Sequence, residues 1–311
     1  MTLVDPARAD ADSNEARVVA AVERLLAAHP PSSTPEREFL EAQYDAGLAW
    51  VHFPQGNGGL GVSPKLQKIV IDAVAAAAGP IGGAKNPIGY GMCAPAIVTH
   101  GTDDQKRLLR PLFSNEHIWC QLFSEPGAGS DVASLAMKAD RDGDEWIVNG
   151  QKVWTTLAHI SRYGLAICRT DPDLPKHRGI TAFIVDMEAE GVEVRPLRQM
   201  TGEAEFNEVY FTDVRIPDSM RVDEVGRGWG VSITTLMNER VSIGGGTPPR
   251  GSGPIAQLMD EWKRSGSNDP VLRDTVARLW IQAEVNRLTN LRAASNRKAG
   301  TPGPEGSVAK L

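Results

Sequence analysis

The chain predicts an α+β multidomain fold: a helical domain over residues 1–118, a middle antiparallel β-barrel domain over 119–225, and a helical bundle over 226–311. Three observations carry this. Apolar residues recur at helical spacing up to about Asn115. They recur at strand spacing, between hairpin-type turns, from Ala133 to Phe211. Helical spacing returns only after Val225.

In the first domain, Val18, Val22, Leu25 and Leu26 predict a helix over residues 14–28, with Ser13 as its cap. Thr34-Pro35 opens a second helix that turns Phe39, Leu40 and Ala46 inward and stops at Gly47. A glycine-rich loop over residues 55–61 separates it from a third. That helix starts at Ser63-Pro64, sets Leu66, Ile69, Val70, Val74 and Ala77 on one face, and stops at Gly79-Pro80. Residues 87–100 read as a helical or mixed segment. Thr102 with Gln105 three residues on is a capping-box pattern ahead of Leu108 and Leu109.

The middle domain reads as a meander. Asp142-Gly143 and Asn149-Gly150 are both expected as hairpin turns, between Met137, residues 146–148 and Val153-Trp154. Further strands are predicted at 164–169, 180–186, 192–197 and 208–211, enough for a small antiparallel barrel or sandwich. From Gly228 a helix carries Val231, Ile233, Leu236, Met237 and Val241 toward Gly244-Gly245-Gly246. A shorter helix runs to Lys263. Asn268-Asp269-Pro270 then caps a long one that places Leu272, Val276, Leu279 and Ala283 on a stripe and reaches about Lys298. Pro302-Gly303-Pro304-Glu305 opens one more.

Composition excludes more than it selects. Of 311 residues, 41% are apolar and 23% charged, as in ordinary globular chains, and the formal charge of −6 comes without a basic cluster. Nucleic-acid and membrane-surface partners are therefore disfavoured. Cys93, Cys120 and Cys168 stand far apart, so neither a disulfide framework nor a metal site is indicated, and a reducing cytoplasm fits. The polar, acidic start lacks a signal region, and no apolar run is long enough to span a bilayer.

The chemistry concentrates between residues 116 and 156. Phe123-Ser124-Glu125-Pro126-Gly127-Ala128-Gly129-Ser130-Asp131 is an extended run breaking into a turn whose glycines let main chain approach a ligand closely. Turn N–H groups beside the Ser130 hydroxyl suit an anion such as a phosphate. The third glycine of the dinucleotide fingerprint is missing, and a strand rather than a helix follows, which disfavours a Rossmann site. Alone, Trp154 could equally be barrel core and Ser130 a turn hydroxyl.

Together with the later Trp154-Thr155-Thr156, this run resembles the flavin-binding signature of the acyl-CoA dehydrogenases, at recognisable spacing over about residues 53–240. The resemblance implies FAD as cofactor, held by Gln121, Phe123, Ser124, Gly129, Ser130, Trp154 and Thr156. Ser124 and the main chain before it would face the isoalloxazine ring, Trp154 would cover that ring, and Thr156 would reach its N5 edge. Ser130 and Arg240 would meet the acyl-CoA substrate. Removing hydrogen from Cα and Cβ of a thioester needs a base for the α-proton and an acceptor for the β-hydride, here the flavin. In Met237-Asn238-Glu239-Arg240 the resemblance makes Glu239 the catalytic base, while the residues alone read as a solvated helix charge beside its arginine partner.

An electron-transferring flavoprotein would reoxidise the flavin, and a homo- or hetero-oligomer, dimer or tetramer, is implied. Two departures from the family stand out. Thr247-Pro248-Pro249-Arg250-Gly251-Ser252 replaces an Arg-x-x-Phe-Gly segment that helps hold FAD across the dimer, and the C-terminal portion of the relatives is missing, as in a truncated chain. Two further readings follow: a non-catalytic or half-site partner subunit, and an acyl-CoA oxidase.

Overall fold

In the computed structural model, which describes residues 6–243, 249–298 and 308, the chain divides into two compact units, Met1–Leu236 and Met237–Leu311. The first unit opens with α1 (Pro6–Ala28), α2 (Glu36–Asp45), α3 (Gln67–Ala76), α4 (Ala94–His100), α5 (Asp103–Lys106) and α6 (Leu109–Phe113). Helix α1 starts earlier than its apolar spacing predicts. Pro6 takes the first helical position, where its missing N–H costs nothing, so Ser13 lies inside the helix and caps nothing.

The mixed segment before α4 proves to be a π-turn over Gly89–Cys93. The predicted capping box is present. Thr102 Oγ1 accepts the Gln105 N–H at 3.3 Å, and Gln105 Oε1 accepts the Thr102 N–H at 3.1 Å. Gln105 Nε2 then donates to the carbonyls of Ser219 and Arg221, both at 2.8 Å, tying this helix to the end of the sheet.

Helices and strands are also joined by one buried amide. Asn86, with no exposed surface, donates to the Leu112 and His117 carbonyls at 2.9 and 3.0 Å. Its oxygen accepts the Gly89 and Trp119 N–H groups at 3.2 and 3.1 Å. All four bonding positions of the amide are filled.

The strands are β1 (Trp119–Leu122), β2 (Lys138–Asp142), β3 (Glu145–Thr156), β4 (Tyr163–Arg169), β5 (Ile180–Asp186), β6 (Val192–Leu197), β7 (Phe206–Pro217) and β8 (Arg221–Val222). They form one mixed sheet in the order β6-β7-β3-β2-β4-β5-β8, with β1 beside β4. The expected antiparallel barrel is thus corrected on two counts. The β1–β4 and β2–β4 pairs are parallel, because a whole hairpin intervenes between β1 and β4. The strand path does not close, since its end strands, β6 and the two-residue β8, are not paired with each other, and within it β2 meets β4 at a single bridge, Lys138↔Arg169.

A second correction concerns Asn149-Gly150. It is a bulge inside the continuous β3, where the register against β7 shifts between Val148 and Gly150. The Asn149 side chain exchanges two bonds with Asp213, accepting its N–H at 2.9 Å and donating to its carboxylate at 3.0 Å. That partner holds the dipeptide in the ladder instead of at a turn. Asp142-Gly143 is the real hairpin, with Gly143 at φ +62.

Strands β4 and β5 are buried on both faces. Leu165, Ile167, Ile180, Ala182 and Ile184 face the core shared with the helices, whereas Ala166, Cys168, Phe183 and Val185 face a second core with Leu122, Val148, Val209 and Ile216. Near-continuous apolar runs suit such a position.

Helix α7 (Gly228–Ile243) starts in the first unit and ends in the second. The second unit adds α8 (Pro254–Ser265) and α9 (Pro270–Lys298). Asp269 caps α9, its carboxylate accepting the Val271 and Leu272 N–H groups at 2.8 and 3.4 Å. Of the predicted stripe Val276 is buried, and Leu272 and Leu279 are exposed. The glycine stop expected at 244–246 and the helix expected from 302 lie outside the described residues. Among the described residues no helix is long and apolar enough to cross a membrane, and no group of His, Cys, Asp and Glu could hold a metal ion.

Candidate functional site

The turn after β1 is held from beneath. Glu125 and Ala128 exchange both main-chain hydrogen bonds, at 3.0 Å each, and the Ser124 carbonyl accepts the Val153 N–H of β3 at 2.9 Å. Under the turn, Lys152 Nζ donates to Glu125 Oε1 at 2.8 Å and to the Phe123 carbonyl at 3.1 Å. Glu125 Oε1 also accepts the Met137 N–H at 3.0 Å, and Oε2 accepts the Ala136 N–H at 2.6 Å. Lys152 is wholly buried and Glu125 nearly so. Burial pulls the Lys152 ammonium below lysine's usual pKa, against the facing carboxylate, which pulls it up.

Pro126, Gly127, Gly129 and Ser130 stand at the exposed front of this turn. Neither Gly127 nor Gly129 has a positive φ, and a Cβ added to either would meet nothing within 4 Å. The fold itself does not require glycine there. What the two glycines provide is main chain left bare on its open side, so that a flat or anionic ligand can lie against it. Behind them Asp131 steadies the turn, accepting bonds from Ser134 Oγ at 2.5 Å and Lys176 at 2.7 Å. Those partners hold its carboxyl below the usual range.

Two residues past Lys152, β3 bulges a second time, its register against β7 shifting between Lys152 and Thr155. Trp154 sits on this bulge with φ +59, a left-handed conformation that a bulky side chain rarely adopts. It is 62% exposed and meets Phe206 edge-on at 6.1 Å. The barrel-core alternative for Trp154 is therefore excluded. Strain in the main chain aims an indole into the open, a pattern concentrated at binding sites. Thr156 is half-buried in the ladder opposite Phe206, and in the adjacent pair the buried Thr155 Oγ1 and Asn207 Oδ1 have no hydrogen-bond partner.

The structure thus brings Phe123, Ser124, Gly129, Ser130, Trp154 and Thr156 together through one turn and one strand, with Gln121 half-buried on β1. Phe123 itself is core, 3% exposed, and its carbonyl is taken up by Lys152. His159 is exposed, with Nδ1 3.3 Å from Asn207 Nδ2. Glu239 is half-buried on α7 in the second unit, and the Arg240 side chain lies outside the described residues.

Models of the acyl-CoA dehydrogenase N-terminal, middle and C-terminal domains match residues 7–116, 120–214 and 226–311. The chain belongs to the acyl-CoA dehydrogenase family, whose enzymes are FAD-dependent. Among its relatives is the acyl-CoA dehydrogenase FadE34 of Mycobacterium tuberculosis, 42% identical over 287 residues, which span 90% of this chain and 39% of that protein. The solved Tcur3481-Tcur3483 steroid ACAD is 28% identical at a TM-score of 0.70, covering all of this chain and 82% of that one. The ChsE4-ChsE5 complex from Mycobacterium tuberculosis is 29% identical at a TM-score of 0.67, with the same coverage.

The residues present fit a flavin. A bare turn for an anionic or flat group, an exposed indole beside it and a neighbouring threonine are the donor and wall types that such a cofactor requires.

Proposed function

We propose that this chain is a subunit of an acyl-CoA dehydrogenase that converts a saturated acyl-CoA to a trans-2-enoyl-CoA. The observation that carries the reading is Trp154, held left-handed and exposed beside a turn whose glycines the fold does not itself need. When bound, FAD supplies the acceptor for the β-hydride. Glu239 takes the α-proton, and Arg240 orients the substrate beside it. Ser130 and the main chain around Gly129 would hold its phosphates, Trp154 would exclude water, and Thr156, Gln121 and Ser124 would supply the remaining contacts. An electron-transferring flavoprotein would be the electron acceptor. The steroid ACAD likeness supports an acyl group borne on a ring system as substrate.

A second reading is favoured by one observation. A neighbour solved as the ChsE4-ChsE5 complex supports a hetero-oligomer in which this chain supplies part of a shared site. Activity would then appear only on co-expression with a second chain. An oxidase variant would consume oxygen.

The test is anaerobic titration of the FAD-loaded protein with a panel of acyl-CoA thioesters, followed by visible absorption. Bleaching identifies the dehydrogenase and ranks substrates. Glu239→Gln is expected to slow flavin reduction by about 10²–10⁴-fold, the usual worth of a general base, with FAD still bound. Unchanged reduction would eliminate Glu239 as the base.

A further inference from the structure

The ion pair under the turn is unusual in its placement. A lysine with no exposed surface is rare, and here it lies inside a strand, between the two points where that strand's register shifts. Two other stretches of chain end on it or on its partner: residues 123–125, through the Phe123 carbonyl and the Glu125 carboxylate, and residues 136–137, whose N–H groups that carboxylate accepts. Each of these stretches leads directly into the candidate site. Residues 123–125 lead into the bare glycine turn. Residues 136–137 end the segment that returns from Ser130 and Asp131. Lys152 lies two residues before the bulge that holds Trp154 left-handed, and its neighbour Val153 bonds Ser124.

We infer that the Lys152–Glu125 pair is the positioning device of the flavin site, fixing the glycine turn and the Trp154 bulge relative to one another. The inference rests on the reading of these two features as the FAD site. Neither residue touches the open front of the turn, so neither is catalytic. Their part is to set the gap between two surfaces that must grip one flat ligand.

The geometry favours this over a purely stabilising role. A pair meant only to stabilise would be as well served by apolar side chains of the same volume. Hydrogen bonds from a buried charge to several main-chain groups also fix direction, which apolar packing does not. Supports behind a binding surface are worth about 10–100-fold when removed at metal centres, and the same order is expected here.

The test uses the full chain. Three variants, Lys152→Met, the charge-free pair Lys152→Met with Glu125→Gln, and the core control Val185→Ala, are compared with wild type. The readouts are FAD dissociation constant, fine structure of the bound-flavin absorption band, and melting temperature. Both pair variants are expected to weaken FAD binding by at least about 10-fold and to blur the band. Val185→Ala, on β5, should lower the melting temperature while leaving affinity and spectrum at wild-type values. The double variant leaves no uncompensated buried charge, so it keeps the test open if Lys152→Met alone fails to fold. A folded pair variant with wild-type affinity and spectrum overturns the inference and spares the site reading. A wild-type chain that takes up no FAD overturns both.

Discussion

Replacing Trp154 with glycine separates binding from folding. The indole is 62% exposed, so of the roughly 200 Å² that a tryptophan can bury, about 80 Å² is covered, worth about 2 kcal/mol at ~25 cal/mol per Å². The edge contact with Phe206 adds about 1 kcal/mol. Against this, glycine releases the left-handed penalty of about 1–2 kcal/mol and costs the unfolded chain about 0.5–1 kcal/mol in added freedom. The net loss should be about 2 kcal/mol, read as the change in urea unfolding midpoint. Trp146, 3% exposed and donating to Asp218 at 2.7 Å, should lose about 3–5 kcal/mol on truncation to alanine. For FAD the order reverses. Loss of an aromatic wall costs about 1–3 kcal/mol where it stacks on a base, so Trp154→Gly should weaken FAD by roughly 10–100-fold, followed by fluorescence titration. A stability loss above about 4 kcal/mol, or an unchanged FAD affinity, would refute the assignment of Trp154 to the site.

Two other outcomes follow from the same structure. Asn86→Leu strands three main-chain groups in buried bonds and one in a part-buried bond, the buried ones at about 1–3 kcal/mol each, so a loss of at least about 3 kcal/mol is expected in chemical denaturation, and a loss under about 1 kcal/mol would deny the four bonds. The Asp218 carboxyl is held far below its usual pKa by bonds from Arg221 and the Trp146 indole. A depressed folded-state pKa stabilises only while the group is ionised, so this contribution is present above the unfolded value of about 3.9 and is lost as pH falls below it toward the folded value. Asp218→Asn should therefore trail wild type in urea midpoint at neutral pH, and the gap should close on acidification. A gap independent of pH would contradict the pairing.

Much of the fold is legible because its signals are local. The Thr102–Gln105 box, the Asp142-Gly143 hairpin and the Asp269 cap each depend on residues a few positions apart, and each occurs where the sequence predicts it. Asn149-Gly150 carries the same turn chemistry as Asp142-Gly143 yet becomes a bulge, because its partner Asp213 lies 64 residues on. Sheet closure is likewise decided by distant pairings. In the site, the turn and Trp154 are legible as a motif, whereas Lys152 is not. Two bulges in β3 reset which face each residue occupies, so period-2 alternation cannot tell a buried lysine from a solvated one.

Strands β4 and β5 act as a party wall between two interiors. Were the stranded region excised near residue 118, Leu165, Ile167, Ile180, Ala182 and Ile184 would lose the helices that shelter them and form a sticky surface. The stretches matched by separate domain models are thus not separable parts, and helices and sheet of the first unit should melt as one. A core substitution on either side of the wall should therefore lower the melting temperature of helices and strands together.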